Sequence, residues 1–338
     1  MGNSDMTDVT ILLLGGGLAS TSLVPLEIFA CAGSLWPTLV GGSPEPRFRV
    51  RTVAVNGRKA RSLVPVTLVA ECSLDDLGDT DLVFVPSSGP DLDLALRNNG
   101  KLVEWLANRR PQRTAVAAVC TGVGLVAEAG LLDGRAATTH WGFVDRYRER
   151  YPAVDWQAER IVTTSDNLFC GGGMYASIDL SLHLLELYCG HEIAVQTARA
   201  LVLESPRIWQ SMYAHEAPRS SHDDEAVQRA QKWLLAHCNE QVDLEALAAK
   251  VGMSPRHFAR RFRAATGEAP LSYLHRLRID DARRKLENSH RSVQEIGRAV
   301  GYEDVTFFRS LFRRYTGTTP KGYRDRFGRR PKSSNARP

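Results

Sequence analysis

The stretch AAVCTGVG, with Cys120 at its centre, contains the residue types of a reactive-thiol site. An apolar strand pattern, TAVAAVC (114–120), leads directly into a helix pattern, GVGLVAEAG (122–130). A sharp turn between a strand and a helix exposes the central side chain at the end of a sheet. The partial positive charge of a helix N-terminus favours a thiolate. Three interpretations of Cys120 follow: a nucleophile, a sensor of a bound molecule, or a buried structural thiol.

Strand and helix patterns alternate on both sides of Cys120. Strands are predicted at VTILLL (9–14), FRVRTVAV (48–55), DLVFVPSS (81–88) and 114–120, and helices at about 23–33, 91–109, 176–189 and 192–204. This alternation predicts an α/β fold, with an open, mostly parallel sheet and helices on both faces. Ligands bind such sheets at the carboxyl ends of the strands, which is where Cys120 lies.

The triplet Gly15-Gly16-Gly17 after the first strand is not a dinucleotide-binding fingerprint. It lacks the G-x-G-x-x-G spacing, and no acidic residue ends a second strand about twenty residues further on. We therefore expect no nicotinamide cofactor. The remaining histidines and cysteines, such as His183 and Cys189, lack the spacing of a structural zinc site, so no metal is expected either.

Charge is unevenly distributed along the 338 residues. Residues 1–220 carry 19 Lys and Arg against 24 Asp and Glu, whereas residues 221–338 carry 24 against 14. A basic third joined to an acidic two-thirds indicates that only the C-terminal part meets a polyanion. The six scattered cysteines fit reduced thiols in a cytoplasm, and no apolar run is long enough to cross a bilayer.

The basic third contains an internal repeat. LAAKVGMSPRHFARRFRAATGEAPLSY (247–273) aligns with IGRAVGYEDVTFFRSLFRRYTGTTPKGY (296–323). Each copy has the pattern of helix, glycine-containing turn and helix. In the first copy Gly252 breaks a helix, and Ser254 and Pro255 suit the N-cap and first position of the next one. This is the helix-turn-helix pattern, in which the second helix enters the major groove of DNA.

One long helix is predicted between the two copies, at LSYLHRLRIDDARRKLENS (271–289). A connecting helix fixes the relative positions of two recognition helices. Two such helices about 34 Å apart would meet successive major grooves on one face of DNA. The paired aromatic residues of the repeat are predicted to be core: Phe258, Phe262, Phe308 and Phe312.

Residues 223–327 resemble the DNA-binding domain of the AraC/XylS family of transcription regulators. The second copy carries most of the family signature: Gly301-Tyr302, Phe308, Phe312, Tyr315, Gly317, Pro320, Tyr323 and Arg324. The resemblance implies that exposed residues of the second helix in each copy contact DNA. The positions concerned are Arg256, His257, Arg260 and Arg263 in the first copy, and Thr306, Arg309, Ser310 and Arg313 in the second.

The two copies differ at the positions where the family reaches base edges. In the first copy these are Arg256 and Arg260, and arginine pairs with guanine O6 and N7. In the second copy they are Thr306 and Ser310, and the family often has arginine where Ser310 stands. Neighbouring arginines such as Arg309 are therefore expected to hold phosphates instead.

Residues 8 to about 205 resemble the PfpI-like class I glutamine-amidotransferase superfamily, in the form fused to AraC-type DNA-binding domains. The resemblance rests on AVCTGVGLVAEAGLLDGRAATTHW (118–141), PLEIF (25–29) and DLSLHLLELYCGHEIAVQTAR (179–199). It implies a flavodoxin-like sheet. It also places Cys120, His140 and Glu27 at the positions of the catalytic cysteine, histidine and glutamate of enzymatic members.

Departures from the PfpI-like pattern argue against turnover. Many of those enzymes have histidine directly after the cysteine, where this chain has Thr121. They often have a Gly-Gly loop where this chain has PSSGP (86–90), of which the Ser87 or Ser88 amide would have to serve as oxyanion donor. Together with the fusion to a DNA-binding domain, these departures predict a regulator and not an enzyme. A cysteine-dependent hydrolase or hydratase and a thiol redox sensor are the alternatives.

The sequence thus predicts a sensor domain at 8–212, a linker at 213–222, a DNA-binding domain at 223–328 and a disordered tail at 329–338. The resemblance implies a cytoplasmic activator that binds double-stranded promoter DNA as a homodimer and acts on RNA polymerase, with no membrane association. It implies an effector such as an amino acid or a quaternary amine, for example arginine, choline or a carnitine derivative. Trp36, Trp141 and Trp209 are candidate walls for a bound cation.

Overall fold

The computed structural model describes residues 6–108, 114–203 and 222–328. The chain divides into two compact units, residues 1–210 and 211–338. The predicted linker at 213–222, apart from His222, and the predicted tail at 329–338 lie outside the described residues. Within the described ranges, no helix combines the length and apolarity that crossing a membrane requires.

The first unit consists of short strands and helices in alternation. Its strands are β1 (Thr7–Leu13), β2 (Phe48–Ala54), β3 (Lys59–Arg61), β4 (Thr67–Val69), β5 (Cys72–Ser73), β6 (Leu82–Val85), β7 (Ala115–Val119), β8 (Ala136–Ala137), β9 (Asp155–Trp156), β10 (Val162–Ser165) and β11 (Leu168–Gly171). Its helices are α1 (Ser20–Cys31), α2 (Leu35–Leu39), α3 (Leu92–Asn98), α4 (Gly100–Asn108), α5 (Val123–Glu128), α6 (Val144–Arg150), α7 (Ala176–Cys189) and α8 (His191–Ala200).

Seven of these strands form one sheet in the order β10-β11-β7-β6-β1-β2-β5. Every pairing in it is parallel except that of the edge strand β10 with β11. The central strands β6 and β7 are buried along their whole length because both faces are covered, which explains their continuous apolar sequences. Helices α4 and α5 share a core with residues such as Leu12 and Val83, while α1 and α7 pack on each other and on the sheet. The predicted open, mostly parallel α/β fold is confirmed.

The direction of strand addition reverses at β1, which has β2 on one side and β6 on the other. The turns after β1 and β6 therefore meet at the carboxyl edge of the sheet, beside the turn after β7. Their backbones touch: a Cβ added at Gly17 would lie 1.8 Å from the Ser87 carbonyl oxygen, and one added at Gly122 would lie 2.0 Å from that of Pro86. Residues with side chains do not fit at these two glycines.

Over its described residues the second unit consists of helices joined by turns, without strands. Its helices are α9 (Glu225–His237), α10 (Leu244–Lys250), α11 (Pro255–Thr266), α12 (Pro270–Asn288), α13 (Val293–Ala299), α14 (Val305–Thr316) and α15 (Pro320–Phe327). The repeat produces two separate cores, one around α9, α10 and α11 and the other around α13, α14 and α15. The connector α12 contributes to both, with Tyr273 and Leu277 in the first core and Ile279 and Leu286 in the second.

One local prediction needs correction, and several short strands were not predicted. The helix predicted over 91–109 is two helices, α3 and α4, separated at Asn99. That residue is buried, its side-chain amide donates to the Ala95 carbonyl (2.8 Å), and its own carbonyl accepts from the Leu102 and Val103 amides. The strands β10 and β11 were not predicted, because four-residue strands with a polar edge partner carry little periodic signal.

The close approach of the turns predicts a strong effect of Gly122→Ala. Its backbone is in the ordinary helical region, so the expected destabilisation of about 3 kcal/mol comes from overlap of the new Cβ with the Pro86 carbonyl. Urea unfolding of the full chain measures the change in free energy. Gly78→Ala is the matched control, because a Cβ there would meet nothing within 4 Å. Equal stability of the two variants would contradict the close approach of Gly122 to the Pro86 carbonyl.

Candidate functional site

Cys120 forms the predicted sharp turn between β7 and α5. Its φ is +57°, in the left-handed region that residues with a side chain rarely adopt, and a single 3-10 turn over Cys120–Gly122 leads into the helix. The Thr139 hydroxyl donates to the Cys120 carbonyl (2.7 Å), which ties the turn to the segment after β8. The turn over Cys120–Gly122 forms an elbow, the sharp strand-to-helix turn that exposes a nucleophile in enzymes. In this elbow the Cys120 side chain is instead buried, with only 6% of the residue exposed.

Hydroxyl side chains surround the elbow and hydrogen-bond to it and to the loop after β6. The Thr121 hydroxyl accepts from the Ser88 amide (3.1 Å) and lies 3.0 Å from the Ser87 hydroxyl. The Ser87 amide in turn donates to the hydroxyl of Thr21 (3.1 Å). Both amides that an oxyanion site would need are therefore already hydrogen-bonded within the protein.

Burial raises the pKa of the Cys120 thiol above its ordinary value. Hydrogen bonds from the Thr121 amide and from the Ser87 and Thr121 side chains act in the opposite direction but are outweighed. The predicted bias toward thiolate at the start of α5 is thus overcome, since the thiol has lost access to water. A protonated, buried thiol is a poor nucleophile and reacts slowly with oxidants.

His140 is half-buried and is held by its neighbours in the chain. Its Nδ1 accepts from the Gly142 amide (3.1 Å), and its ring packs on Trp141 and Phe143 with centroid distances of 5.2 and 5.7 Å. An accepting Nδ1 leaves the proton of the neutral ring on Nε2, and burial lowers the pKa of the imidazole. His140 therefore presents a neutral N–H donor and not a free basic nitrogen. Among the described hydrogen bonds, none joins it to Cys120.

Glu27 is exposed on α1, and the structure does not bring it to the elbow through any described contact. Cys31 lies one turn further along the same helix. The pKa of its thiol is raised mainly by burial and also by the negative charge of Glu27. The residue of α1 that reaches the elbow is Thr21, which is fully buried and bonded to Ser87. A lone threonine carries no sequence signal that would have identified it.

The tryptophans predicted as walls of a cation pocket lie on different elements. Trp36 is half-buried within the short helix α2, and Trp141 packs against His140. Trp209 lies outside the described residues. Among the described ring contacts, none joins Trp36 to Trp141.

The second unit presents two recognition helices of similar construction. Helix α11 is preceded by its N-cap Ser254, whose hydroxyl accepts from the His257 amide (3.4 Å), and is followed by its C-cap Gly267 with φ +79°. Phe258 and Phe262 are buried against the first core. The opposite faces carry the predicted DNA-contacting residues, all of them exposed: Arg256, His257, Arg260 and Arg263.

Helix α14 repeats this design with a different cap. The Asp304 carboxylate accepts from the Thr306 and Phe307 amides (2.7 and 3.1 Å). Phe308 and Phe312 are fully buried in the second core. The predicted contact residues are again exposed: Thr306, Arg309, Ser310 and Arg313. Phe307, which was not among the predicted contact residues, is 48% exposed on the same helix and packs edge-on against the half-buried His275 of the connector.

Part of the positive charge of this unit is internal. Arg278 of α12 is buried and donates to the carbonyls of Cys238 (2.6 Å) and Glu240 (2.7 Å), while its guanidinium lies 5.0 Å from the ring centroid of Tyr302. Arg276 is also buried and paired with Glu268 (2.7 Å). Such arginines hold the connector to both helix-turn-helix copies and are not available to a polyanion.

The sequence of each unit matches a known family. Residues 38–187 match the DJ-1/PfpI family, and residues 247–326 match a family described as a helix-turn-helix domain. Over 289 residues the chain is 30% identical to the HTH-type transcriptional regulator GlxA of Rhizobium meliloti, which covers 80% of this chain and 87% of that protein. Over 274 residues it is 27% identical to the HTH-type transcriptional regulator CdhR of Pseudomonas aeruginosa, covering 81% and 80% of the two chains.

Solved structures support the fold of the first unit. Drosophila melanogaster DJ-1beta superposes with a TM-score of 0.50 at 16% identity, over 59% of this chain and 100% of that one. A putative transcriptional regulator protein from Vibrio parahaemolyticus superposes with a TM-score of 0.51 at 20% identity, over 58% and 100%. At these identities the likeness establishes the α/β fold alone.

The buried thiol predicts slow alkylation of Cys120. In the folded protein at pH 7.5, iodoacetamide should modify Cys120 at least about tenfold more slowly than in urea, because little thiolate forms and access is blocked. The rate should rise only as the pH passes the ordinary thiol range near 9, since the folded pKa lies higher. Residue-resolved mass spectrometry gives both rates. Fast modification with a plateau below pH 7 would restore the nucleophile interpretation.

Proposed function

Because the chain belongs to the HTH-type transcriptional regulators that join a DJ-1/PfpI domain to an AraC-type helix-turn-helix domain, we propose that it is an effector-responsive activator. Its second unit is a DNA-binding unit. Its first unit would sense a small molecule. The observation that carries the proposal is the pair of capped recognition helices, each with buried aromatics on one face and exposed residues on the other.

The proposed division of labour follows the predicted boundaries. The sensor domain occupies 8–212, the linker 213–222, the DNA-binding domain 223–328 and the tail 329–338. The two compact units and their separate cores support this division. All six cysteines are free thiols, which supports a cytoplasmic location.

We assign base reading to the first recognition helix. Arg256 and Arg260 are one helical turn apart and exposed, so both guanidinium groups can enter the major groove from one face. His257 lies beside them, with its Nδ1 3.3 Å from a guanidinium nitrogen of Arg260. Arg263, further along the helix, is placed to meet the phosphate backbone.

The second recognition helix is assigned mainly to the backbone. Its exposed positions Thr306 and Ser310 are short hydroxyl residues, while Arg309 and Arg313 are long cations on the same exposed surface. Phosphate contacts position a protein on the duplex without reading sequence. The two copies of the repeat would thus divide specificity and positioning between them.

The first unit is proposed to bind its effector at the carboxyl edge of the sheet, near Cys120. The crowded hydroxyl network and the protonated thiol support a regulatory role over covalent chemistry. An amino acid or amine metabolite is the proposed effector class, on the basis of the family resemblance. Homodimer formation through the first unit and contact with RNA polymerase complete the proposal.

Selective DNA binding is the principal test. The full chain, incubated with random genomic fragments at a stated salt concentration, should enrich a small set of promoter sites. Arg256→Ala/Arg260→Ala should weaken binding to those sites by at least about thirtyfold, since each bidentate arginine–guanine pair contributes about 1–3 kcal/mol. Binding to unrelated sequence should fall far less.

The matched control is Arg229→Ala, which removes an exposed arginine from α9, outside both recognition helices. It should leave the enriched sites unchanged. If the wild type enriches no site at any salt concentration, the regulator proposal fails. If the double variant keeps full selectivity, the assignment of base reading to α11 fails while the regulator proposal stands.

The activator role has its own test. Transcription by purified RNA polymerase from an enriched promoter should rise several-fold when the full chain is added. Arg256→Ala/Arg260→Ala should give no rise. A fall in transcript on addition of the wild type would show repression instead.

A further inference from the structure

A polar cleft lies over the carboxyl ends of β1 and β2, on the side of β1 away from β6 and β7. Its volume is about 450 Å³. Strand β1 contributes Leu13, the turn after it contributes Gly15, and the turn after β2 contributes Asn56. The first two residues of α4, Gly100 and Lys101, form another wall. A cleft of this size, at this edge of an open α/β sheet, suits a small metabolite.

The lining of the cleft is strongly cationic. Four basic residues border it: Lys59, Arg61, Arg97 and Lys101. Its lining contains no aspartate or glutamate, although the surrounding domain has an excess of acidic residues. Lys101 pairs with Asp75 outside the cleft (3.2 Å). Among the ion pairs of the described residues, none joins Arg61 or Arg97 to a carboxylate.

The walls are held in place by specific hydrogen bonds. The Asn56 side-chain amide donates to the Asn98 carbonyl (2.8 Å), which joins the turn after β2 to the end of α3. The Gly16 amide donates to the Arg61 carbonyl (2.8 Å), and the Ser62 hydroxyl donates to the Gly17 carbonyl (2.8 Å). The backbone that carries Arg61 is therefore fixed to the glycine turn after β1.

We propose that this cleft binds a small metabolite carrying two or more anionic groups, carboxylate or phosphate. Guanidinium groups bind both through paired N–H donors. The partial positive charge at the start of α4, a nine-residue helix, acts in the same direction. A cationic amine without an anionic group, such as choline, is repelled by the same charges. The site lies outside the elbow, and the proposal does not depend on DNA binding by the second unit.

The cleft is mechanically connected to the elbow. Its glycine turn packs directly on the loop after β6, since Gly17 lies against the Ser87 carbonyl. That loop is hydrogen-bonded to Thr121 through the Ser88 amide. An anion that draws Arg61 inward would therefore pull on the backbone of the turn after β1, where the strand order reverses. Through this turn the bound metabolite would change the conformation of the rest of the sensor unit.

The test is isothermal titration of the full chain, at constant ionic strength, with citrate and with inorganic pyrophosphate. At least one probe should bind saturably at one site per chain. Arg61→Ala/Arg97→Ala should weaken that binding by at least about tenfold, because each substitution removes the charge-assisted hydrogen bonds of one guanidinium group to the anion. Arg146→Ala, an exposed arginine of α6 elsewhere on the same unit, should bind as the wild type does. Choline should not compete.

The two probes distinguish the ligand chemistry. Binding of citrate alone indicates a carboxylate ligand, and binding of pyrophosphate alone indicates a phosphate ligand. Absence of saturable binding by both probes overturns the proposal, and so does equal affinity in the wild type and the double variant. Because the exposed Arg61 and Arg97 side chains contribute little to folding, thermal melting should confirm that the double variant is folded. Failure here leaves promoter binding untouched, so it is separable from failure of the regulator proposal.

Discussion

The arrangement of the second unit depends on one buried cation, Arg278. Its guanidinium donates to two carbonyls in the segment after α9 and lies over the ring of Tyr302 in the turn of the second helix-turn-helix copy. A buried charge is tolerated only when its donors are paired, so this set of contacts fixes where α12 lies against both copies. The separation of the two recognition helices, and hence the geometry of any contact with DNA, follows from that placement.

A similar constraint organises the first unit, but there it is steric. The turns after β1, β6 and β7 converge at the carboxyl edge of the sheet and leave no room for a Cβ at Gly17 or Gly122. The same crowding brings the hydroxyl of Thr121 onto the loop after β6. In enzymes such an elbow exposes a nucleophile. In this protein the elbow holds a protonated thiol that is buried and hydrogen-bonded to its neighbours.

Positive charge serves three purposes in this chain. Buried arginines such as Arg278 stabilise the connector, exposed arginines such as Arg256 face outward from a recognition helix, and Arg61 and Arg97 border a cleft in an otherwise acidic domain. Net charge alone does not separate these uses. Burial and the presence or absence of a partner carboxylate distinguish them, because an arginine without a carboxylate partner in the protein can bind an external anion.

The amino-acid sequence by itself determined the fold class, the two-part organisation and the family. Continuous apolar runs specify buried parallel strands, and two aligned copies with Gly252 and Gly301 at their turns specify the helix-turn-helix units. The tertiary structure alone decided the chemistry of the elbow and the location of the cleft. The state of Cys120 depends on burial and on Ser87, thirty-three residues earlier in the chain, and the cleft collects cations from β3, α3 and α4. Contacts between residues so far apart in sequence leave no periodic pattern to read.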